Sequence, residues 1–317
     1  MKKQLLPVCF IISALVLFLL HIQPASADML YFGTSNSPPR VQKVNRDGTG
    51  LETLIDFGSS PPALRDIVVD GISGKMYFGA SDGLLRRANL DGTGLEVLLN
   101  NTPVGDPFAL DLTSGTVYFT GSNLVRINLD SSGRENLFNP PLNTFVLGIA
   151  LDLATSKIYF ALNGLEDRIM RANIDGSDVE TLLSFGQTSA DIFDIKLDVM
   201  GGKMYWTDRL GIRRANLDGT DLETVFDNVD ARRLALDLPN GKIYWGSTNF
   251  MSDQGIFRAN IDGNMPELVL SHDGDVHGLD FGPSAPAATP VPEPSAALLF
   301  IVGVLGRLCL RRRRFVT

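Results

Sequence analysis

The chain has 317 residues, with 28 Lys and Arg against 36 Asp and Glu, two cysteines and 44% hydrophobic residues, the composition of a globular rather than a disordered protein. Seven of the basic residues (Lys2, Lys3, Arg307, Arg311, Arg312, Arg313 and Arg314) lie in terminal segments, so residues 28–306 hold 21 basic and all 36 acidic side chains, a net charge of −15. A surface this acidic repels a phosphate backbone and gains nothing from counterion release, which argues against nucleic acid and anionic lipid as partners.

Residues 1–27 combine Lys2 and Lys3, an apolar stretch over 5–20 and an end that closes on Ala25-Ser26-Ala27. A basic start, an apolar centre and small residues three and one before a cut mark a secretory signal peptide, with cleavage expected after Ala27. Ala25 and Ala27 are the small side chains that the cleavage requires. Cys9 lies inside the apolar stretch, and Cys309 lies near the other end, so the exported body holds no cysteine and no disulfide can staple it. Packing alone must hold its roughly 255 residues, which is chain enough for a large core.

Within residues 28–282 one unit recurs. An aromatic pair appears as Tyr31-Phe32, Tyr77-Phe78, Tyr118-Phe119, Tyr159-Phe160, Tyr205-Trp206 and Tyr244-Trp245, at spacings of 46, 41, 41, 46 and 39 residues. A basic-x-Asn-x-Asp string follows each pair, led by Lys43, Arg87, Arg126, Arg171, Arg214 and Arg258. Five pairs are preceded by a short apolar run ending in aspartate (Asp70, Asp111, Asp152, Asp198, Asp237), and the run missing before the first pair appears at the far end as His277-Gly278-Leu279-Asp280. A ring explains that displacement and a linear array does not, because the last strand then completes the blade that the first residues begin.

Each unit reads as four strands rich in β-formers, and Asp-Gly follows the third strand in five of six units, Asp130-Ser131 being the exception. Four short strands in about 42 residues, repeated six times, predict an all-β six-bladed propeller with its last strand closing the first blade. In the fifth unit Lys203-Met204-Tyr205-Trp206-Thr207-Asp208 precedes Arg213-Arg214-Ala215-Asn216-Leu217-Asp218-Gly219. Over residues 29–282 this pattern resembles the YWTD repeat, or LDL-receptor class B repeat, although only the fifth unit carries all four of those letters. The resemblance implies a six-bladed propeller that binds protein ligands on one face. The cysteine-rich modules that flank such propellers in the receptors are absent.

The six bases and the strand-end aspartates, Asp280 counted among them, occupy fixed places in the blades and are expected to be structural, the carboxylates serving the bases or the turn amides. The Asn-x-Asp-Gly strings lack the further ligands of a calcium loop and are read as hairpin turns. The position leading into the inner strand holds Asp66, Asp194 and Arg233, with Pro107, Gly148 and Val276 assigned to the other three blades. That irregularity makes Asp66, Asp194 and Arg233 the candidate ligand face, with calcium or another cation in the channel as the cofactor to consider. No catalytic or metal-ligating motif occurs: there is no zinc-spaced His cluster, thiol nucleophile, Gly-x-Ser-x-Gly or phosphate-binding glycine loop. His272 and His277 are the histidines of the body, and His277 is expected to be packed or hydrogen-bonded.

Residues 283–290 form a Pro/Ala/Ser linker. Val291-Pro292-Glu293-Pro294-Ser295 follows, then an apolar run over 296–310, then Arg311, Arg312, Arg313 and Arg314. The run makes about 22 Å of helix, short of a ~30 Å hydrocarbon core, so it would span by snorkelling with the arginines in the cytoplasm and the body across the membrane. Residues 291–317 resemble the PEP-CTERM sorting signal of Gram-negative bacteria. The resemblance implies recognition of Pro292, Glu293 and Pro294 by an exosortase-type enzyme, transient anchoring in the inner membrane, and release to the cell surface or extracellular matrix.

The expected function is a non-enzymatic binding module for a protein or polysaccharide partner, docked by loops over 34–40, 162–167 and 247–254 that share one rim. The alternative is a secreted propeller hydrolase or lactonase that uses channel carboxylates with a divalent cation.

Overall fold

The computed structural model describes residues 29–282, apart from 36–37, 59–61, 101, 103–106, 187–189, 230, 248–253 and 273. The expected signal peptide, linker and sorting segment, with the cleavage, box and arginine residues assigned to them, lie outside the described residues. Among the described residues no helix is long and apolar enough to cross a membrane.

Six antiparallel sheets of four strands each stand around one axis. In blade two the order from axis to rim is Leu64–Asp70, Lys75–Ala80, Leu85–Asn89 and Glu96–Leu99. Blade one takes its inner strand from the chain end, Val276–Gly282, and then Met29–Thr34, Arg40–Asn45 and Glu52–Asp56. The inner strands of blades three to six are Phe108–Asp111, Phe145–Asp152, Asp194–Asp198 and Arg233–Asp237. Val276–Gly282 lies against both Leu64–Asp70 and Arg233–Asp237, and every other inner strand likewise touches its two neighbours, so the ring is closed as expected.

The core is divided among the blades. All twelve aromatic side chains of the repeated pairs are buried. Because successive residues in a strand face opposite sides, each tyrosine meets the Phe or Trp of the following blade. Tyr31 clusters with Phe78, Tyr77 with Phe119, Tyr118 with Phe160, Tyr159 with Trp206, Tyr205 with Trp245, and Tyr244 with Phe32. Six equivalent apolar seams therefore close the ring without a cysteine.

The six bases do not pair with the strand-end aspartates. Each pairs within its blade with a glutamate that opens the fourth strand: Lys43–Glu52, Arg87–Glu96, Arg126–Glu135, Arg171–Glu180, Arg214–Glu223 and Arg258–Glu267, at 2.5–3.0 Å. The reason is register, since Arg214 lies directly across the ladder from Glu223. Arg171, Arg214 and Arg258 also donate to Leu217, Ile261 and Arg46 carbonyls of the next blade at 3.1, 3.2 and 2.7 Å. The aspartates serve turn amides instead: Asp70 accepts from Ile72 and Ser73, Asp111 from Thr113 and Ser114, Asp152 from Ala154 and Thr155, and Asp198 from Gly201. Asp237 takes Arg46 and Asn240.

The Asp-Gly turns have a second reason beyond the hairpin. At Gly219 φ is +84°, and a Cβ there would lie 2.6 Å from the Leu182 carbonyl of the preceding blade. Only glycine combines that backbone with so close an approach.

Blade one departs from the expected alignment by two residues. Asp280 lies opposite Tyr31, as Val68 lies opposite Tyr77 and Lys196 opposite Tyr205, while Gly282 holds the strand-end place opposite Met29. Asp280 is thus not a strand-end aspartate. The residue that matches Asp66 and Asp194 is Gly278, not Val276, because Leu279, Ile67 and Ile195 are the residues opposite Phe32, Phe78 and Trp206. Gly278 sits at a bulge with φ +70°, and a Cβ on it would lie 2.4 Å from the Ile67 amide.

Candidate ligand-binding face

The links between blades and the loops between second and third strands meet on one face of the disc. Ser81 donates to the Ala63 carbonyl at 2.9 Å and Thr102 to the Gly83 carbonyl at 3.0 Å, tying a link and a loop together there. The inner strands start at this face, and their registers stack the axis into three rings.

The upper ring, counted along the chain as the residue one place before Asp66, Gly148, Asp194, Arg233 and Gly278, holds Arg65, Leu147, Phe193, Arg232 and His277; bulges at Gly148 and Gly278 leave Leu147 and His277 opposite Ala161 and Gly33, level on the ladder with Asp66 and Asp194. Blades six, one and two therefore present Arg232, His277 and Arg65 side by side, while blades four and five present Leu147 and Phe193. At the junction the Arg232 guanidinium carbon stands 3.9 Å from the centre of the Phe193 ring, inside the range of a cation–π contact. The mouth is cationic on one arc and apolar on the other.

The middle ring contains the three residues named from the sequence, and the structure brings them together. Arg233 reaches across the axis, donating through Nη1 to the Phe193 carbonyl at 3.2 Å and through Nη2 to the Arg65 carbonyl at 3.0 Å. Asp66 accepts the Phe108 amide of the next blade at 3.1 Å, and Asp194 accepts the Leu234 amide of its next blade at 3.0 Å. These side chains clasp neighbouring inner strands, whose edges would otherwise face the axis with unpaired amides. In blades one and four the same position is Gly278 or Gly148, and there the backbone itself closes on the next blade.

The lower ring opposes Asp280 of blade one and Lys196 of blade five, with Val68, Ala109, Ala150 and Ala235 in the other places. Three alanines leave room for the lysine, whose Nζ is 3.2 Å from Asp194 Oδ1. Burial pulls Lys196 down, but Asp194, Asp66 and Asp280 outweigh it and hold its ammonium above the ordinary value. Burial pushes Asp66 up against the pull of Lys196 and Arg233. Burial also lifts Asp280 to about 6, although it accepts the Val69 amide at 2.8 Å and faces Lys196. A tethered ammonium thus sits among the channel carboxylates, and among the described residues no group of three His, Cys, Asp or Glu could hold a metal ion.

His277 is half-buried, with Nε2 4.0 Å from Asp275. Burial first, then the charges of Arg233, Arg65 and Arg232, lower its imidazole to about 3, so it is neutral at physiological pH. Nε of Arg65 is buried without a hydrogen-bond partner, and its guanidinium makes no ion pair with a described residue.

Beside the apolar arc lies a cavity of about 440 Å³ between blades four and five, lined by Phe145, Leu147, Phe193, Asn143, Asn163 and Asp191 among others. Its walls are braced. Asn163 donates to the Ile192 carbonyl at 2.9 Å and accepts the Ile192 amide at 3.2 Å, and Asp167 accepts the Gly164 and Asp191 amides. Phe145 on its wall is 56% exposed, and Leu142 and Leu165, next in the chain to the lining residues Asn143 and Gly164, are 92% and 77% exposed. Arg65, Phe193 and Arg232 were missed in the sequence although each stands one position before a residue that was singled out, Asp66, Asp194 and Arg233.

No family model matches the chain. Its sequence is similar to low-density lipoprotein receptor-related protein 1 of Pyricularia oryzae, 26% identical over 203 residues that cover 54% of this chain and 64% of the relative. It is also similar to protein cueball of Drosophila willistoni, 31% identical over 117 residues, 35% of this chain and 17% of the relative. The chain thus spans just under two thirds of the first relative and a small part of the second. Among solved structures, a chain of a nidogen/laminin complex superposes with a TM-score of 0.63 at 15% identity, covering 80% of this chain and 97% of that one. TolB from Acinetobacter baumannii superposes at 0.66 and 12% identity, covering 82% and 67%. The fold is that of the six-bladed propellers, and the sequence is similar in part to one low-density lipoprotein receptor-related protein.

Proposed function

We propose that this chain is an interaction module that docks a partner on the face where the upper ring opens. The observation that carries this reading is the exposed apolar patch of Leu142, Phe145 and Leu165 around a braced cavity, since apolar side chains clustered this openly on a folded surface mark a binding site. Support comes from the nidogen/laminin complex, in which a chain of the same fold is found with a protein partner. The module is exported through its N-terminal segment and held at the membrane by residues 296–310. An exosortase-type enzyme acting at Pro292-Glu293-Pro294 then passes it to the cell surface or matrix of a Gram-negative host. That part of the reading rests on the sequence of residues 1–27 and 291–317.

The test is capture from host surface extracts with the purified body, residues 28–282, against a Phe145→Ser/Leu165→Ser variant. Saturable capture that the variant loses is expected. Equal capture by both would sink the reading.

A further inference from the structure

Resting on that docking reading, we infer that the partner is a protein segment that sets a carboxylate over the arc of Arg232, His277 and Arg65 and an apolar side chain in the adjoining cavity. The charge of the arc runs against that of the molecule. Residues 28–306 carry −15, yet the Arg233, Arg65 and Arg232 guanidinium groups stand close enough to His277 to add to burial in lowering its imidazole. At physiological ionic strength the Debye length is about 8 Å. Distant acids are therefore screened, and the local charges decide what approaches the mouth: Arg65, Arg232 and Arg233 against the one carboxylate of Asp275 beside His277.

Arg65 needs such a ligand more than its neighbours do. Arg233 is engaged by two carbonyls and Arg232 stacks on Phe193. Arg65 is half-buried, its Nε is buried without a hydrogen-bond partner, and its guanidinium has no ion pair among the described residues to supply the counter-charge that a partly desolvated cation favours. A carboxylate accepting from its terminal nitrogens would supply that charge and make the stronger, charge-assisted kind of hydrogen bond.

The second half of the site selects the class of molecule. Phe193 lines the cavity and also carries the Arg232 stack, so the acidic and apolar groups of the ligand must be close neighbours. A peptide with Asp or Glu within a residue or two of Leu, Ile or Phe meets both demands. An acidic polysaccharide meets only the first, because sugar hydroxyls pressed on Leu142, Phe145 and Leu165 would lose their hydrogen bonds to water without replacement.

Fluorescence anisotropy with the body and labelled nine-residue peptides tests this. The peptides carry Asp-x-Leu in a Gly/Ser frame, with Asn-x-Leu and Asp-x-Ser versions as controls and polygalacturonate as competitor. The Asp-x-Leu peptide should bind saturably and weaken with salt, either control change should cost about tenfold or more, and the His277 ring, followed by NMR, should titrate above about 3 once peptide is bound. Arg65→Ala should also cost about tenfold, whereas Arg134→Ala, in a turn at the opposite end of the strands, should cost nothing. Equal binding of the Asn peptide, displacement by polygalacturonate but not by excess peptide, or indifference to Arg65→Ala would overturn the inference. If Phe145→Ser abolishes binding while Arg65→Ala does not, the docking face survives and the carboxylate claim falls. If neither variant alters binding of any probe, the docking reading falls with it.

Discussion

Asp280 gives the axis a measurable pH dependence. Its carboxyl titrates at about 6 in the fold against an ordinary 3.8. A tenfold change in proton affinity is worth about 1.4 kcal/mol, so keeping Asp280 ionised inside the ring costs the folded state about 3 kcal/mol. The sign follows from the raised value: this part of the stability is fully present below about 3.8 and is lost as pH rises through about 6. Asp280→Asn removes the charge and leaves a side chain of the same shape. The amide satisfies only one of the Val69 and Phe281 N–H groups that the carboxylate accepts, an offset of about 1 kcal/mol that does not vary with pH. In denaturant unfolding of residues 28–282 between pH 4 and 8, the variant should exceed wild type by about 2 kcal/mol at pH 7.5, and the gap should close and reverse toward pH 4. The turn aspartates whose values are lowered, such as Asp70 and Asp82, lose stability on acidification in both proteins and cancel in the difference. A gap that is constant across this range, or one that favours wild type at pH 7.5, would refute the argument.

Lys196→Met strips the channel carboxylates of their tethered cation and should cost about 3–5 kcal/mol at pH 8 and less at pH 5, read by the same unfolding curves. Ending the chain at Asp275 removes Val276 and Leu279, buried to 0% and 2% exposure, at about 1.5–3 kcal/mol each; with the ladder to Met29–Thr34 also lost, cooperative unfolding should disappear, as calorimetry would show. Gly278→Ala should cost more than Gly115→Ala by about 1–3 kcal/mol, since both have φ near +70° but only Gly278 has a backbone atom 2.4 Å from the new Cβ. Replacing Pro292, Glu293 and Pro294 with alanine should hold the protein in the membrane fraction of its host, scored by fractionation and immunoblot.

Some of this was legible one residue at a time. The aromatic pairs, the period of their recurrence and the Asp-Gly turns all report interactions within a blade or with the next one, and each recurs around the ring. What misled the alignment of blade one was composition: His277-Gly278-Leu279-Asp280 matches the repeated run that ends in aspartate, while the ladder sets Asp280 opposite Tyr31 and ends on Gly282 opposite Met29, two places further on. The bases were assigned no definite partner because a strand pattern does not reveal which residue lies opposite, and Glu223 faces Arg214 only once the third and fourth strands pair.

The number of blades, the strand content and the closing role of the last strand were determined by the sequence itself, because hydrophobic period, turn chemistry and repetition are properties of neighbours along the chain. Only the tertiary structure decided what stands at the mouth. Arg65, Leu147, Phe193, Arg232 and His277 come from five blades and share no motif. They become one surface because ring closure brings the starts of distant inner strands within reach of one another.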